Sequence, residues 1–251
     1  MIEPRMETPV YFRKTSLVDY PSKVAAAVFF PFCNMRCPWC HNGDLITEDK
    51  TRRDSSPLIS LGEALSHIKK RAGVLDGVVL SGGEPTLFSG LPELIREIKK
   101  SPLCVKLDTN GALPKTLELL LSSDFPPDYI AMDLKFAPRR YSGLLRAQDG
   151  ADSAPETILE SVRIIRAAYD EGRIQAEFRS LVFPHGEFSE RDMDEFAPFV
   201  GDVPWQFRAF RPGSCLDLSW NEYGETPPEK VERFRDLWAG KSVNFSGLAQ
   251  A

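Results

Sequence analysis

Three cysteines, Cys33, Cys37 and Cys40, lie within eight residues, and their spacing is typical of an iron–sulfur site. Cysteine thiolates are the ligands that iron–sulfur clusters require. Three of them leave one iron of a four-iron cubane without a protein ligand, so a substrate molecule can bind there and receive an electron. The spacing therefore predicts a redox-active 4Fe–4S cluster with one open coordination position.

Three other uses of these cysteines compete with a cluster. A structural zinc site needs four ligands, and the only nearby fourth candidate, His41, directly follows the last cysteine. Residues 37–41 also fit the C-x-x-C-H pattern of haem attachment, which leaves Cys33 without a role and usually belongs to exported chains. Five cysteines are too few, and odd in number, for a disulfide framework. We expect Cys104 and Cys215 to be buried small side chains rather than ligands.

A Gly-Gly-Glu-Pro tetrapeptide occupies residues 82–85, one predicted β/α unit after the cysteines. Adjacent glycines allow positive φ and let the backbone come close to a ligand, and Glu84 adds a carboxylate. Alone, the tetrapeptide is weak evidence because Gly-Gly turns are common. Its position directly after a three-cysteine loop makes it specific, and it predicts a second part of the same binding site.

Two carboxylates, Asp108 and Asp133, end successive predicted strands further along the chain. Facing one cavity, unpaired carboxylates would repel each other, so they predict a bound cation or a cationic ligand. For Asp108 the alternative is capping of the following turn or helix. Arg179 alternates with Gln175 and Glu177 on a later strand. We expect it either to reach a ligand carboxylate or to form a salt bridge with a neighbouring helix.

Composition indicates a globular enzyme. The 251 residues are 42% hydrophobic and 27% charged, with a net charge of −5 and both signs interspersed, so we expect neither nucleic acid nor a membrane as partner. The longest apolar run, residues 24–32, is far shorter than the roughly 20 residues of a membrane span. We expect no signal peptide at the N-terminus. Closely spaced thiols need a reducing compartment, which predicts a cytoplasmic protein.

The elements that position these motifs alternate between strands and helices. Short spacing between them predicts a right-handed parallel β/α arrangement, either a doubly wound open sheet or an incomplete barrel, in one domain spanning 1–251 with a short N-terminal extension, 1–22. Ligands should gather at the carboxyl ends of the strands, where the polar motifs fall. The predicted strands are residues 24–30, 77–80, 103–107, 129–134, 174–183 and 204–210. The predicted helices are residues 61–72, 91–100, 115–122, 154–171, 190–199 and 228–238.

Together these motifs resemble the radical S-adenosylmethionine (SAM) superfamily, whose fold is an incomplete parallel (β/α)6 barrel. The resemblance is closest to glycyl-radical-enzyme activases, and among them to the activating proteins of anaerobic ribonucleoside-triphosphate reductases. It covers about residues 12–186 and is weak after Trp205. The family more often has glycine where Ser22 stands. The matching stretches are residues 14–23, 40–42, 108–111 and 132–135.

The resemblance implies a cofactor set and a reaction. Cys33, Cys37 and Cys40 would hold one 4Fe–4S cluster, and the methionyl group of SAM would chelate the open iron. Reductive cleavage of SAM would yield a 5′-deoxyadenosyl radical, which takes hydrogen from a glycine of a partner enzyme. That partner would be an anaerobic ribonucleotide reductase or a pyruvate formate-lyase-like protein, and a flavodoxin- or ferredoxin-like protein would donate the electron. A second cluster is excluded because no further cysteine follows the loop before residue 61.

The resemblance also implies which residues contact SAM and a possible cation. Gly83 and Glu84 would bind the amino group of SAM, by a backbone carbonyl and a carboxylate. Trp39 would pack near the adenine, with a core-filling aromatic as the alternative. The residues implied as SAM contacts are Trp39, Gly82, Gly83, Glu84, Asp108, Asn110 and Lys135. Those matching a monovalent-cation site of pyruvate formate-lyase activases are Asp108, Thr109 and Asp133.

Two alternatives to the activase stay open. One is a small-molecule enzyme of the 7-carboxy-7-deazaguanine synthase type, which also has a short chain and a Gly-Gly-Glu-Pro motif. The other is a non-catalytic metal-binding protein that interacts with partners. The Asp-Tyr-Pro sequence at residues 19–21 and the Met-Asp-Leu-Lys sequence at 132–135 favour the activase.

Overall fold

The computed structural model describes residues 5–47, 57–144 and 154–246. One continuous sheet runs through this part of the chain. The strands are β1 (Pro9–Ser16), β2 (Ala25–Phe30), β3 (Ile59–Ser60), β4 (Gly77–Gly82), β5 (Cys104–Thr109), β6 (Tyr129–Asp133), β7 (Gln175–Val182) and β8 (Trp205–Ala209).

The sheet has the order β3-β1-β2-β4-β5-β6-β7-β8. The six strands from β2 to β8 in this order are parallel, and they are the six that the sequence predicts. β1 and β3 were not predicted, and they extend the sheet by antiparallel pairing at one edge. β1 lies in the expected N-terminal extension. Its second half is rich in polar residues, and β3 has only two residues, so neither shows the apolar run of a buried strand.

The parallel strands form an incomplete barrel. In the described residues β2 and β8 are separated in the sheet by four other strands and do not pair with each other. The six parallel strands also follow one another in chain order across the sheet, without the reversal of order that defines a doubly wound sheet. The expectation of an open (β/α)6 barrel is therefore confirmed, and the doubly wound alternative is wrong. No helix among the described residues is both long and apolar enough to cross a lipid bilayer.

Helices connect the parallel strands in turn. All six predicted helices are present with boundaries that differ by a few residues, except that the last one continues beyond residue 238 to Ser246. Helix α2 begins at Ser60, whose side chain accepts from the Glu63 N–H in a capping box. The helices are α1 (Gly43–Ile46), α2 (Leu61–Lys70), α3 (Leu91–Ile98), α4 (Pro114–Leu121), α5 (Ala154–Asp170), α6 (Glu190–Val200) and α7 (Pro228–Ser246).

Alternation along the strands separates two faces of the sheet. In β5, for example, Val105 and Leu107 are fully buried in the larger core, which the helices cover. The intervening Lys106 and Asp108 face the other side, the interior of the open barrel. Successive side chains of a strand point to opposite faces, so one strand supplies both core contacts and polar groups. The polar groups of several strands consequently meet inside the barrel.

Candidate functional site

A cavity of about 460 Å³ lies at the carboxyl ends of the parallel strands. Its volume is within the range of small-molecule sites. Parallel pairing brings the segments that follow β2, β4, β5 and β6 to one end of the sheet, so motifs far apart in sequence share this cavity. The predicted site residues that line it are Cys33, Cys37, Trp39, Cys40, Gly82, Gly83, Asp108, Thr109, Asn110, Asp133 and Lys135.

The cysteine loop is held against the Gly-Gly-Glu-Pro turn by backbone hydrogen bonds. The Gly83 N–H donates to the Phe30 carbonyl at 2.8 Å, and the Glu84 N–H donates to the Phe32 carbonyl at 2.8 Å. A turn then forms within the loop, where the Cys40 N–H donates to the Cys37 carbonyl at 3.0 Å. These bonds continue the β2–β4 pairing beyond the strands and fix where the thiols lie.

All three thiols are suited to bind iron but are protonated without it. Burial raises the pKa of Cys33, Cys37 and Cys40 to about 11, while the positive charge of Lys135 opposes that shift. At neutral pH the metal-free thiols are therefore neutral, and metal binding would have to displace their protons. Three ligand side chains beside a buried ammonium fit a cluster whose thiolates carry negative charge.

The other two cysteines lie away from the cavity, as expected. Cys215 is fully buried in the larger core, and Cys104 packs against the smaller cluster around Tyr20. All five cysteines belong to the described residues, and none forms a disulfide. Within the described residues no three side chains of His, Cys, Asp or Glu converge as a single metal ion would need. A cubane does not need that convergence, because each thiolate binds a different iron.

The two glycines of the tetrapeptide are required by the backbone of the neighbouring strand. A Cβ at Gly83 would lie 2.0 Å from the Phe32 carbonyl oxygen. Gly82 has φ of 108°, and a Cβ there would lie 2.4 Å from the Phe30 nitrogen. The Gly82 carbonyl accepts from the Asn42 side chain at 2.7 Å. The backbone of the two glycines thus comes close to the end of β2 and the segment after it, and its predicted approach to a ligand stays a prediction.

Glu84 does not line the cavity, and the contact of its carboxylate with SAM stays a prediction. Its side chain is fully buried. Oε1 accepts from the Thr86 N–H and hydroxyl and from the Thr109 hydroxyl, the last at 2.8 Å. Oε2 accepts from the Asn110 N–H at 2.7 Å. The carboxylate therefore ties the turn after β4 to the loop after β5.

Asp108 and Asp133 face the same cavity, as predicted, but a guanidinium of the protein already lies between them. Arg179 donates from Nε to Asp133 at 2.9 Å and from Nη1 to Asp108 at 3.2 Å. Lys106 donates to Asp108, and Lys135 donates to Asp133 at 3.1 Å. Arg179 is thus a cation that lies between the two carboxylates. It links neighbouring strands and does not pair with a helix.

These charges stabilise one another inside the barrel. Burial opposes ionisation of Asp133, but the positive charges of Arg179 and Lys135 outweigh it and hold its pKa below the usual range. The pKa of Asp108 is also lowered, by Arg179 and Lys106 against burial. Burial disfavours the charged form of Lys135, yet Asp133 raises its pKa. Asp108, Asp133 and Lys135 are therefore ionised at neutral pH.

Trp39 lines the cavity and also fills the core, and its packing near the adenine stays a prediction. Its ring lies 4.8 Å from Phe136, 5.1 Å from Phe183 and 5.2 Å from Trp220, measured between centroids. Only 4% of its surface is exposed. The aromatic cluster around it therefore forms an apolar wall of the cavity, of the kind on which a planar base packs.

Among the residues that the sequence did not predict for the site are Lys106 of the charged network and Asp19 and Arg208 of the cavity. Lys106 sits in an apolar strand two residues before Asp108, and that spacing places both on one face, so it could have been found. Asp19 reaches the cavity from the β1–β2 connection and pairs with Arg13 at 3.0 Å. Arg208 enters from β8, where it lies 3.5 Å from Glu177. The last two depend on tertiary structure and have no local signal.

Comparison with known proteins agrees with this geometry. A protein of Methanocaldococcus jannaschii provisionally named glycyl-radical enzyme activating enzyme is 29% identical over 226 residues, 88% of this chain and 86% of that one. A 7-carboxy-7-deazaguanine synthase of Clostridium acetobutylicum is 31% identical over 115 residues, 45% of this chain and 48% of that one.

The crystal structure of a radical SAM methyltransferase from Sphaerobacter thermophilus has the same fold, with a TM-score of 0.62 at 15% identity. The similarity covers 88% of this chain but 65% of the methyltransferase. The sequence pattern of the Radical SAM superfamily itself matches residues 27–197, from β2 to α6. This span holds the cysteine loop, the tetrapeptide and the charged network. The chain therefore belongs to the radical SAM superfamily.

Proposed function

We propose that this chain is an activase that generates a glycyl radical in a partner enzyme. The observation that carries the proposal is the cavity itself, where three thiols, two glycines and a charged network meet beside an aromatic wall. Enzymes of this superfamily use SAM and a 4Fe–4S cluster. Similarity to the M. jannaschii protein over nearly the whole of both chains supports activation of a protein over other radical SAM reactions.

We assign the thiols of Cys33, Cys37 and Cys40 to the cluster. When bound, the two groups, the cluster and SAM, would supply one electron and the carbon–sulfur bond that it cleaves, giving methionine and a 5′-deoxyadenosyl radical able to take a hydrogen atom from the partner's glycine. The chain's own residues hold and orient the reactants. Lys135 and Arg179 are two cations on the cavity wall, and we propose that they bind the carboxylate of SAM.

The backbone of Gly82 and Gly83 is the proposed partner of the amino group of SAM. Gly83 lines the cavity, and its carbonyl is the acceptor that the resemblance assigns. Trp39 and its aromatic neighbours would exclude water from the adenosyl end. Orientation matters in this reaction because a radical abstracts whichever hydrogen lies nearest, so the fixed loop after β2 serves selectivity.

The open barrel supports a protein substrate. The parallel strands end at β2 and β8, and the gap between these ends leaves one side of the interior without a wall of strands. A peptide loop carrying the glycine needs such access, whereas a closed barrel would admit only small molecules. We propose a flavodoxin- or ferredoxin-like protein as electron donor.

The experiment is anaerobic reconstitution with iron and sulfide, followed by addition of dithionite, SAM and a glycyl-radical protein from the same cell. We expect release of 5′-deoxyadenosine together with a glycyl signal in the partner by electron paramagnetic resonance. Cys37→Ala should give neither, because two thiolates hold a cubane poorly. Cys104→Ala is the matched control, since Cys104 lies away from the cavity, and it should give both.

Other outcomes separate the alternatives. Cleavage of SAM without a glycyl signal in any candidate partner would point to a small-molecule enzyme, such as the 7-carboxy-7-deazaguanine synthase type that matches less than half of this chain. A cluster without any cleavage of SAM would point to a non-catalytic metal-binding protein. Wild-type turnover by Cys37→Ala would remove the proposed ligand set.

A further inference from the structure

We propose that Asn110 sets the reduction potential of the cluster by donating a hydrogen bond to the Cys33 sulfur. The inference rests on the proposed function, because it requires that Cys33 binds the cluster. It gives Asn110 a positioning and tuning role in place of the SAM contact that the resemblance implies. The role follows from where the two hydrogens of the side-chain amide point.

Both hydrogens of that amide have acceptors in the cysteine loop. The Nδ2 atom lies 2.8 Å from Oδ1 of Asn34 and 3.9 Å from Sγ of Cys33. Sulfur accepts at longer distances than oxygen, and the Met35 N–H donates to the same sulfur at 3.4 Å. One side-chain donor and one backbone donor therefore meet at this thiol.

The orientation of the amide is locked. Oδ1 of Asn110 accepts from the Ala112 N–H at 2.9 Å, which leaves Nδ2 as the atom that faces Cys33. The backbone N–H of Asn110 donates to the buried Glu84 carboxylate at 2.7 Å. Asn110 is 5% exposed, so the side chain has no solvent-exposed alternative. Rotation of this amide would break three hydrogen bonds.

Glu84 anchors this arrangement at its other end. Its carboxylate accepts from Thr86 in the same turn and from Thr109 and Asn110 across the sheet. A continuous path of hydrogen bonds thus runs from the Gly-Gly-Glu-Pro turn, through Asn110, to the sulfur-bearing loop. It explains why a glutamate that does not reach the cavity follows the two glycines.

The direction of the effect follows from charge. Reduction adds a negative charge to a cluster, and part of that charge lies on the thiolate sulfurs. A donor aimed at such a sulfur stabilises the reduced form more than the oxidised form and raises the potential. Hydrogen bonds to the ligands of a metal centre change its reduction potential although the donors do not bind the metal themselves. Loss of the Asn110 donor should therefore make the cluster harder to reduce.

The test is a redox titration of the reconstituted cluster without SAM, followed by electron paramagnetic resonance. Asn110→Leu keeps the approximate size and removes both donors, and we expect a more negative midpoint potential than in wild type with the same iron content. Asn221→Leu is the matched control, because its side-chain amide also accepts backbone N–H groups, those of Gly213 and Cys215, but does not line the cavity. We expect that variant to keep the wild-type potential.

A second measurement does not depend on the folding of a variant. In wild-type protein labelled with ¹⁵N in the asparagine side-chain amide, pulsed paramagnetic resonance of the reduced cluster should detect the nitrogen that donates to Cys33. An Asn110→Leu cluster with full iron and an unchanged potential overturns this inference alone, and so does the absence of the nitrogen coupling. Protein that binds no cluster overturns the proposed function as well.

Discussion

At the scale of single residues, the site is a set of buried charges that neutralise each other. Arg179 contacts two carboxylates from two neighbouring strands, and each carboxylate also contacts a lysine. Removal of one partner from a buried ion pair leaves an uncompensated charge, which costs about 3–5 kcal/mol. A guanidinium suits this position because its planar fork donates in two directions at once.

We predict that this guanidinium makes a separate monovalent cation unnecessary. Wild-type protein should bind SAM equally well when Na⁺ or K⁺ is replaced by choline, as measured by equilibrium binding. Arg179→Gln should lower the free energy of unfolding by about 3 kcal/mol, and its SAM affinity should rise when K⁺ or Na⁺ is added.

Arg179→Lys is the conservative control for that prediction. It keeps one positive charge but cannot bridge both carboxylates, so it should fall between wild type and Arg179→Gln in stability. The prediction fails if wild-type protein binds SAM only when K⁺ or Na⁺ is present. That result would show an ion site beside the guanidinium, at Asp108, Thr109 and Asp133, as the resemblance implies.

At the scale of elements, the site depends on how the end of β4 approaches the end of β2. The parallel register pairs Phe30 with Gly82, and the chain after each strand continues the contact. No side chain fits between them, since a Cβ at Gly83 would overlap the Phe32 carbonyl. The two glycines therefore shape the loop that carries the cysteines.

We predict that Gly83→Ala destabilises the protein before any cofactor is bound. The new methyl group must displace backbone, so we expect a loss of about 3 kcal/mol or more in denaturant unfolding of the metal-free protein. Gly73→Ala is the matched control, because no atom lies within 4 Å of its Cβ position and its φ is not positive. It should change stability by about 0.5 kcal/mol or less. Equal stability of both variants would show that the glycines are needed only for the ligand.

At the scale of the whole molecule, one cavity joins loops from most of the parallel strands. The cysteine loop contacts the turn after β4, and the loop after β5 contacts both. A group bound at the cysteines therefore binds the folded chain and not the unfolded one. Such binding stabilises the native state by a free energy that grows with the logarithm of the free ligand concentration divided by the dissociation constant.

We predict that cluster loading raises the midpoint of thermal unfolding of the entire chain. At a 100-fold excess over the dissociation constant the gain is about 2.7 kcal/mol, which corresponds to a rise of roughly 5–11 °C for a protein of this size. Calorimetry of loaded and metal-free protein measures it under anaerobic conditions. Cys37→Ala should lose the rise and Cys104→Ala should retain it, and an unchanged midpoint in loaded wild type would contradict cluster binding in this cavity.

The amino-acid sequence alone determined the six parallel strands, the six helices and the positions of the three thiols. Apolar periodicity specifies which segments are strands and helices, and parallel order brings the residues after successive strands to one end of the sheet. Eleven of the twelve predicted site residues consequently line one cavity. These features follow from local pattern and from topology, so they need no knowledge of side-chain direction.

Only the tertiary structure decided what each polar side chain contacts. Glu84 turns away from the cavity and accepts from Asn110, which is 26 residues further along the chain. Arg179 lies between two carboxylates, and one of them, Asp108, is 71 residues away in sequence. Strand β1 lies between β3 and β2 in the sheet although the second half of its sequence is polar. The physical reason is common to all three. A buried polar group takes the partner that the folded chain brings within about 3 Å, and that distance is set by packing between segments remote in sequence.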